Sequence, residues 1–113
     1  MTHKAIDMIG FTGSCPTGRS IMGAAGPQLK RIVLELGGKD PMVVFSDADL
    51  DVAAEQAVVF SLYNCGQVCC AVERVYVESS IKESFEAKCL EKIKEWVHGD
   101  GMDPSSKVSR ASP

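Results

Sequence analysis

Cys65, Cys69 and Cys70 form the densest group of nucleophilic side chains in this 113-residue sequence. They follow an apolar stretch and enclose Gly66-Gln67, so a turn is expected beneath them. Three chemistries compete for such a cluster: metal ligation, thiol nucleophilicity and plain packing. Zinc normally takes four Cys, His or carboxylate ligands, whereas the histidines are only His3 and His98 and no second cysteine pair stands at zinc-ribbon spacing, so no metal is expected. Buried, inert thiol is the common fate of cysteine and suits Cys89, on the apolar stripe of a predicted helix. Cys69 differs, because a thiol at a tight turn near helix ends and backbone N–H donors is placed where its thiolate is stabilised and a substrate can approach.

Two further segments carry chemistry. Gly13-Ser14-Cys15-Pro16-Thr17-Gly18-Arg19-Ser20 follows a predicted strand and opens a predicted helix, the setting in which backbone N–H groups and a helix N-terminus hold phosphate. Its spacing nearly matches a nucleotide-triphosphate loop, but Arg19 stands where that loop needs Lys, and a planar guanidinium does not replace a compact ammonium. An ordinary strand-to-helix turn would show the same letters. Glu35 sits between Leu34 and Leu36 beside Gly37-Gly38. Apolar neighbours would raise its pKa toward that of a general base, and a solvent-facing residue of an amphipathic strand would read identically.

The elements that must position these groups alternate. Residues 6–11 read as a strand, Thr17 to Ala25 as a helix entered at Pro16 and left at Gly26-Pro27, and Arg31 to Leu36 and Met42 to Phe45 as buried strands. Leu50, Ala53, Ala54, Ala57, Val58 and Leu62 share one face of a helix over Leu50 to Tyr63, with N-cap candidates at residues 46–49. Arg74 to Val77 alternates as a strand. Ile81, Phe85, Cys89, Ile93 and Val97, widened by Leu90 and Trp96, predict a last helix, and from Gly99 onward the chain reads as loop or tail. Strands alternating with helices predict an α/β fold with some parallel pairing.

Composition bounds the function. The chain is 45% hydrophobic and 24% charged, as for one soluble globular domain. A domain of this length buries about 65% of its unfolded surface, enough for one modest core. A net charge of −3 gives no reason to expect nucleic acid or an anionic membrane as partner. The longest apolar run, Val68 to Val72, is far short of the ~20 residues of a membrane-spanning helix, and Asp7 interrupts the N-terminus before any signal-peptide stretch. A cytoplasmic location with reduced thiols is expected for the five cysteines.

Phe11-Thr12-Gly13-Ser14 with Gly18, then Leu34-Glu35-Leu36-Gly37-Gly38-Lys39, then Asn64-Cys65-Gly66-Gln67-Val68-Cys69, resemble in order and spacing the aldehyde dehydrogenase superfamily. The likeness runs from about Ile6 to Val108, includes residues 47–51 and 74–77, and leans toward the betaine-aldehyde-like enzymes. It implies an α/β fragment: residues 1–37 as the end of a Rossmann-like NAD(P)-binding domain, 38–108 as the start of the catalytic domain, and 109–113 as a tail departing from the family's continuation. It also implies that Gly13, Ser14 and Gly18 border the pyrophosphate of NAD or NADP, that Cys69 is the nucleophile and Glu35 the general base, and that Cys65 and Cys70 have no catalytic role.

The implied reaction oxidises a small aldehyde to a carboxylic acid through a thiohemiacetal and thioester on Cys69. Family members are several times longer and homo-oligomeric. Segments outside this sequence supply an oxyanion-hole asparagine, the ribose-binding residues and an oligomerisation hairpin. The expectation is therefore an internal piece of such an enzyme, inactive and poorly stable or self-associating by itself. The other reading is a short non-catalytic protein keeping at most nucleotide or partner binding.

Overall fold

A computed structural model describes residues 1–109. The chain divides into two compact units, the first Met1–Gly38 and the second from Lys39 onward. The first contains strand β1 (Met8–Gly13), helix α1 (Cys15–Ala25) and strand β2 (Arg31–Leu36). The second contains β3 (Asp40–Val44), α2 (Leu50–Leu62), β4 (Val72–Val77) and α3 (Lys82–Ile93). Both are α/β, and each holds one parallel strand pair joined through a helix.

In the first unit β1 and β2 run in register from Met8 opposite Arg31 to Gly13 opposite Leu36. Alternation turns Ile32, Leu34 and Leu36 inward and Arg31, Val33 and Glu35 outward. Helix α1 buries Gly18, Ile21 and Ala25, spaced along one face. Gly18 is required by proximity: a Cβ there would lie 2.9 Å from both terminal methyls of Leu36. The helix starts two residues earlier than expected because Ser14 serves as its N-cap, so Pro16 falls inside the first turn, where a missing N–H is harmless. A 3₁₀ turn over Gly26–Gln28 ends it, followed by Leu29 in left-handed conformation at φ 53° and 92% exposed.

In the second unit β3 begins at Asp40, not Met42, and carries Pro41, tolerated because a two-stranded sheet has only edge strands and the register shifts between Asp40 and Pro41. The Arg74 guanidinium donates to the Lys39 carbonyl at 2.6 and 2.9 Å, and Lys39 pairs with Glu73, fastening the start of β3 to β4. Val44, Ala53, Ala54, Ala57 and Phe85 form the core. The small α2 residues admit Phe85 of α3, whose burial is worth about 1.5–3 kcal/mol.

The last helix stops at Ile93, four residues short of the expected Val97. Its C-terminal turn tightens into three-residue hydrogen bonds from Lys94, Glu95 and Trp96, and the amides of Lys107 and Val108 both donate to the Val97 carbonyl. The apolar stripe accordingly fades: Phe85 is buried, whereas Leu90, Ile93 and Val97 are exposed. Residues 99–109 form turns closed by a parallel bridge between His98 and Val108. Of the expected divergent tail, residues 110–113 lie outside the described residues. No helix among the described residues is long and apolar enough to cross a membrane.

Asp51, in the first turn of α2, pairs with Lys88 of α3 at 2.5 Å, and the hydrogen bond and charge of Lys88 hold its carboxyl below 3.8. A lowered folded-state pKa stabilises above the unfolded value and stops doing so as pH falls through the folded value. We therefore expect Asp51→Asn to lower the melting temperature slightly at neutral pH and to narrow its gap to wild type below pH 3.8, in thermal melts from pH 7 to 2. A gap constant across that range would mean the pair does not link the helices.

Candidate functional site

In the first unit the candidate groups gather at the C-terminal end of the parallel pair, where α/β sheets receive ligands. Gly13 is the last residue of β1, and a Cβ there would come 2.6 Å from the tip of the Phe11 ring. Ser14 caps α1: its Oγ accepts from the Thr17 amide at 3.3 Å and lies 2.9 Å from Thr17 Oγ1. The Cys15 thiol donates to the Gly37 carbonyl at 3.4 Å, tying the loop to the end of β2. Pro16 offers no N–H, and the Cys15 amide meets no acceptor among the described residues. A bare glycine, an uncommitted amide and a helix N-terminus together suit an anionic group, so this loop fits the pyrophosphate of a dinucleotide. Gly18, by contrast, is buried against Leu36 and acts by letting the helix approach the strand.

Glu35 stands opposite Thr12, one pair before Gly13 and Leu36, and is exposed. Of its two readings, a desolvated carboxylate or a solvent-facing residue of an amphipathic strand, the position matches the second, because neighbouring strand residues point to opposite faces and both leucines turn inward.

In the second unit α2 ends in a 3₁₀ turn, Tyr63–Gly66, where Asn64 (φ 51°), Cys65 (φ 60°) and Gly66 (φ 73°) take left-handed backbone in succession. For side-chain-bearing residues that conformation costs about 1–2 kcal/mol each and persists only where surroundings enforce it. The enforcement is visible. Asn64 Nδ2 donates to the Gln67 carbonyl at 3.1 Å, the Gln67 amide donates back to the Asn64 carbonyl at 3.1 Å, and Gln67 Nε2 reaches that same carbonyl at 3.3 Å. Ser61 Oγ lies 2.7 Å from the Ala57 carbonyl and 3.0 Å from that of Val72, sharing its proton between the end of α2 and the start of β4.

This reversal delivers a turn over Val68 to Ala71, closed by the Ala71 amide on the Val68 carbonyl at 3.1 Å. Cys69 and Cys70 are its two central residues, and neither has positive φ, as in a type I turn. Both are exposed, and the Cys69 amide meets no acceptor among the described residues. The other cysteines are engaged. Cys65 lies 3.2 Å from the Ser109 carbonyl, and Cys89 packs against the core, where burial and then the Glu86 charge push its thiol up.

Glu35 and the glycine loop thus share the first unit, while Cys69 belongs to the second. Asn64 and Ser61 are positioning residues that the sequence reading gave no role. An Asn just past a helix end was the available signal for the first, since Asn tolerates the left-handed conformation.

The model of the "Aldehyde dehydrogenase family" matches residues 1–110. The chain is 49% identical over 107 residues to retinal dehydrogenase 2 of Gallus gallus, covering 94% of this chain and 21% of the relative. A 3,6-anhydro-L-galactose dehydrogenase in complex with NAP superposes with TM-score 0.90 at 40% identity, over 95% of this chain and 22% of that one. A betaine aldehyde dehydrogenase double mutant from Staphylococcus aureus in complex with NAD+ superposes with TM-score 0.85 at 40% identity, over 94% and 21%. The chain therefore spans about a fifth of the length of the curated relatives it matches.

Gly66 is the position where the reversal demands glycine, and a Cβ there would also come 3.1 Å from the Ser61 carbonyl. Gly66→Ala should destabilise by about 1–2 kcal/mol, read as a lower urea midpoint at unchanged slope. An unchanged midpoint would show that the turn beneath Cys69 does not depend on this residue.

Proposed function

From the premise that this chain belongs to the aldehyde dehydrogenase family, we propose that it supplies the nucleophile, the general base and part of the cofactor loop of an enzyme that oxidises an aldehyde to a carboxylic acid with NAD or NADP. The observation that carries the reading is the exposed Cys69 thiol on a turn whose backbone is strained just before it, with its own amide uncommitted. In this reading residues 1–37 end the cofactor domain, 38–108 begin the catalytic domain, and the active polypeptide also carries the segments its relatives have beyond this fifth of their length. The substrate is a small aldehyde in the cytoplasm. The −3 charge argues against nucleic acid or anionic membrane as partner.

The Cys69 thiolate attacks the carbonyl carbon, forming a thiohemiacetal whose oxyanion receives the Cys69 backbone N–H. A nicotinamide held at the cofactor loop would supply the hydride acceptor for oxidation of the adduct to a thioester. Glu35 takes a proton from water as that water attacks the thioester, releasing the acid and the free thiol. Gly13 and Ser14 hold the pyrophosphate by bare backbone, and Gly18 allows the approach of α1 that sets their position.

The second reading is a short protein that binds nucleotide or a partner without turnover. An antibody against residues 81–97 separates the two. A band several times 12.1 kDa is expected, whereas one at 12.1 kDa selects the non-catalytic reading.

In the polypeptide so detected, Cys69→Ser should abolish aldehyde-dependent reduction of the nicotinamide, and Cys70→Ser should keep most of it. Equal losses would remove Cys69 as the nucleophile. Glu35→Gln should slow thioester hydrolysis by about 10²–10⁴-fold, so that acyl-enzyme accumulates in a single turnover. Hydrolysis at the wild-type rate would assign the base elsewhere.

A further inference from the structure

Cys69 and Cys70 are adjacent, free and exposed, and they share the centre of one turn. Of the five thiols these two alone are exposed: Cys15, Cys65 and Cys89 are each half-buried. Neighbouring thiols can act as one group in two ways, by bonding to each other or to a third atom. The first is disfavoured here. Cα atoms across the trans peptide that joins them lie about 3.80 Å apart, below the ~4.4 Å at which disulfide-bridged pairs ordinarily begin. A bridging atom lifts that limit, since two bonds then span the gap between the sulfurs.

We propose that Cys69 and Cys70 form a dithiol site for trivalent arsenicals, soft electrophiles suited to paired thiolates. With an organoarsenic(III) oxide two S–H bonds break and two As–S bonds form. The two protons leave with the oxide oxygen as one water. Arsenic remains trivalent, so no oxidant or reductant is consumed. The hydrogen-bonded turn over Val68 to Ala71 leaves both residues exposed, open to a reagent from solvent. The site requires no turnover and so does not rest on aldehyde oxidation.

Phenylarsine oxide is the probe. Added to the chain, it should give one adduct by intact mass and lower the titratable thiols from five to three. Cys65→Ser should leave the adduct intact. Cys70→Ser, with an unchanged circular dichroism spectrum, should bind about a hundredfold more weakly, because closing the second bond on the same molecule is what supplies the affinity. The wild-type adduct should survive a monothiol and be released by a dithiol. Wild-type affinity in Cys70→Ser, or an adduct consuming a single thiol, would overturn the proposal. So would loss of both thiols to air without arsenical, since the pair would then close on itself.

Discussion

A parallel strand pair cannot be joined by a hairpin: the chain must leave the end of the first strand, travel back alongside the sheet and enter the second from its start. Both units obey this constraint with a helix, β1–α1–β2 in the first and β3–α2–β4 in the second. The consequence for chemistry is positional. Each crossover creates one junction where a strand runs into a helix and one where a helix returns to a strand. The first unit puts its glycine loop at the outgoing junction, where the start of α1 leaves the Cys15 amide uncommitted. The second puts its exposed Cys69 thiol at the returning junction, between Leu62 and Val72, where the chain must reverse in little space.

The reversal explains why the second junction is the more constrained. Helix α2 buries Ala53, Ala54 and Ala57 in one cluster with Val44 of the sheet and Phe85 of α3, so it is fixed by packing, and β4 is fixed by its register with β3. The connection cannot relax by moving either end. Left-handed backbone at Asn64, Cys65 and Gly66 absorbs the difference, and the reciprocal Asn64–Gln67 hydrogen bonds hold it there. Strain of this kind is tolerable because the surrounding elements over-determine it. What it provides is a thiol presented on a short, stiff turn.

The sequence was most legible where one pattern had one explanation. The spacing along α2 named its buried face, since Ala53, Ala54, Ala57 and Val58 are all buried. It was least legible where the pattern outran its cause. Apolar residues continue to Val97 at helical spacing, yet the turns beyond Gly99 pull the chain back onto the Val97 carbonyl and the helix closes at Ile93. The strand expected from Met42 begins at Asp40, with Pro41 accepted at an irregular edge. Flanking leucines left Glu35 two readings, and period-two alternation, which turns both leucines to the opposite face, selects the solvent-facing one. The left-handed Cys65 had no signal at all, because cysteine has no preference for that conformation. Cysteine number likewise said little about fate: the chain holds two thiols on backbone carbonyls, at Gly37 and Ser109, one against the core and two in the open.

Among the described residues each sheet has two strands, so every strand is an edge. Half of each strand's amides and carbonyls therefore face away from the partner, and Val43, Phe45, Val75 and Tyr76 remain exposed beside them. In a hydrogen-exchange experiment such a chain would divide residue by residue along each strand, inward amides protected and outward amides exchanging almost as in a peptide. Durable protection would concentrate in α2, which supplies three of the five buried core residues. The sheets of this chain are thus best regarded as templates awaiting further strands, with their order borrowed from the helices that cross them.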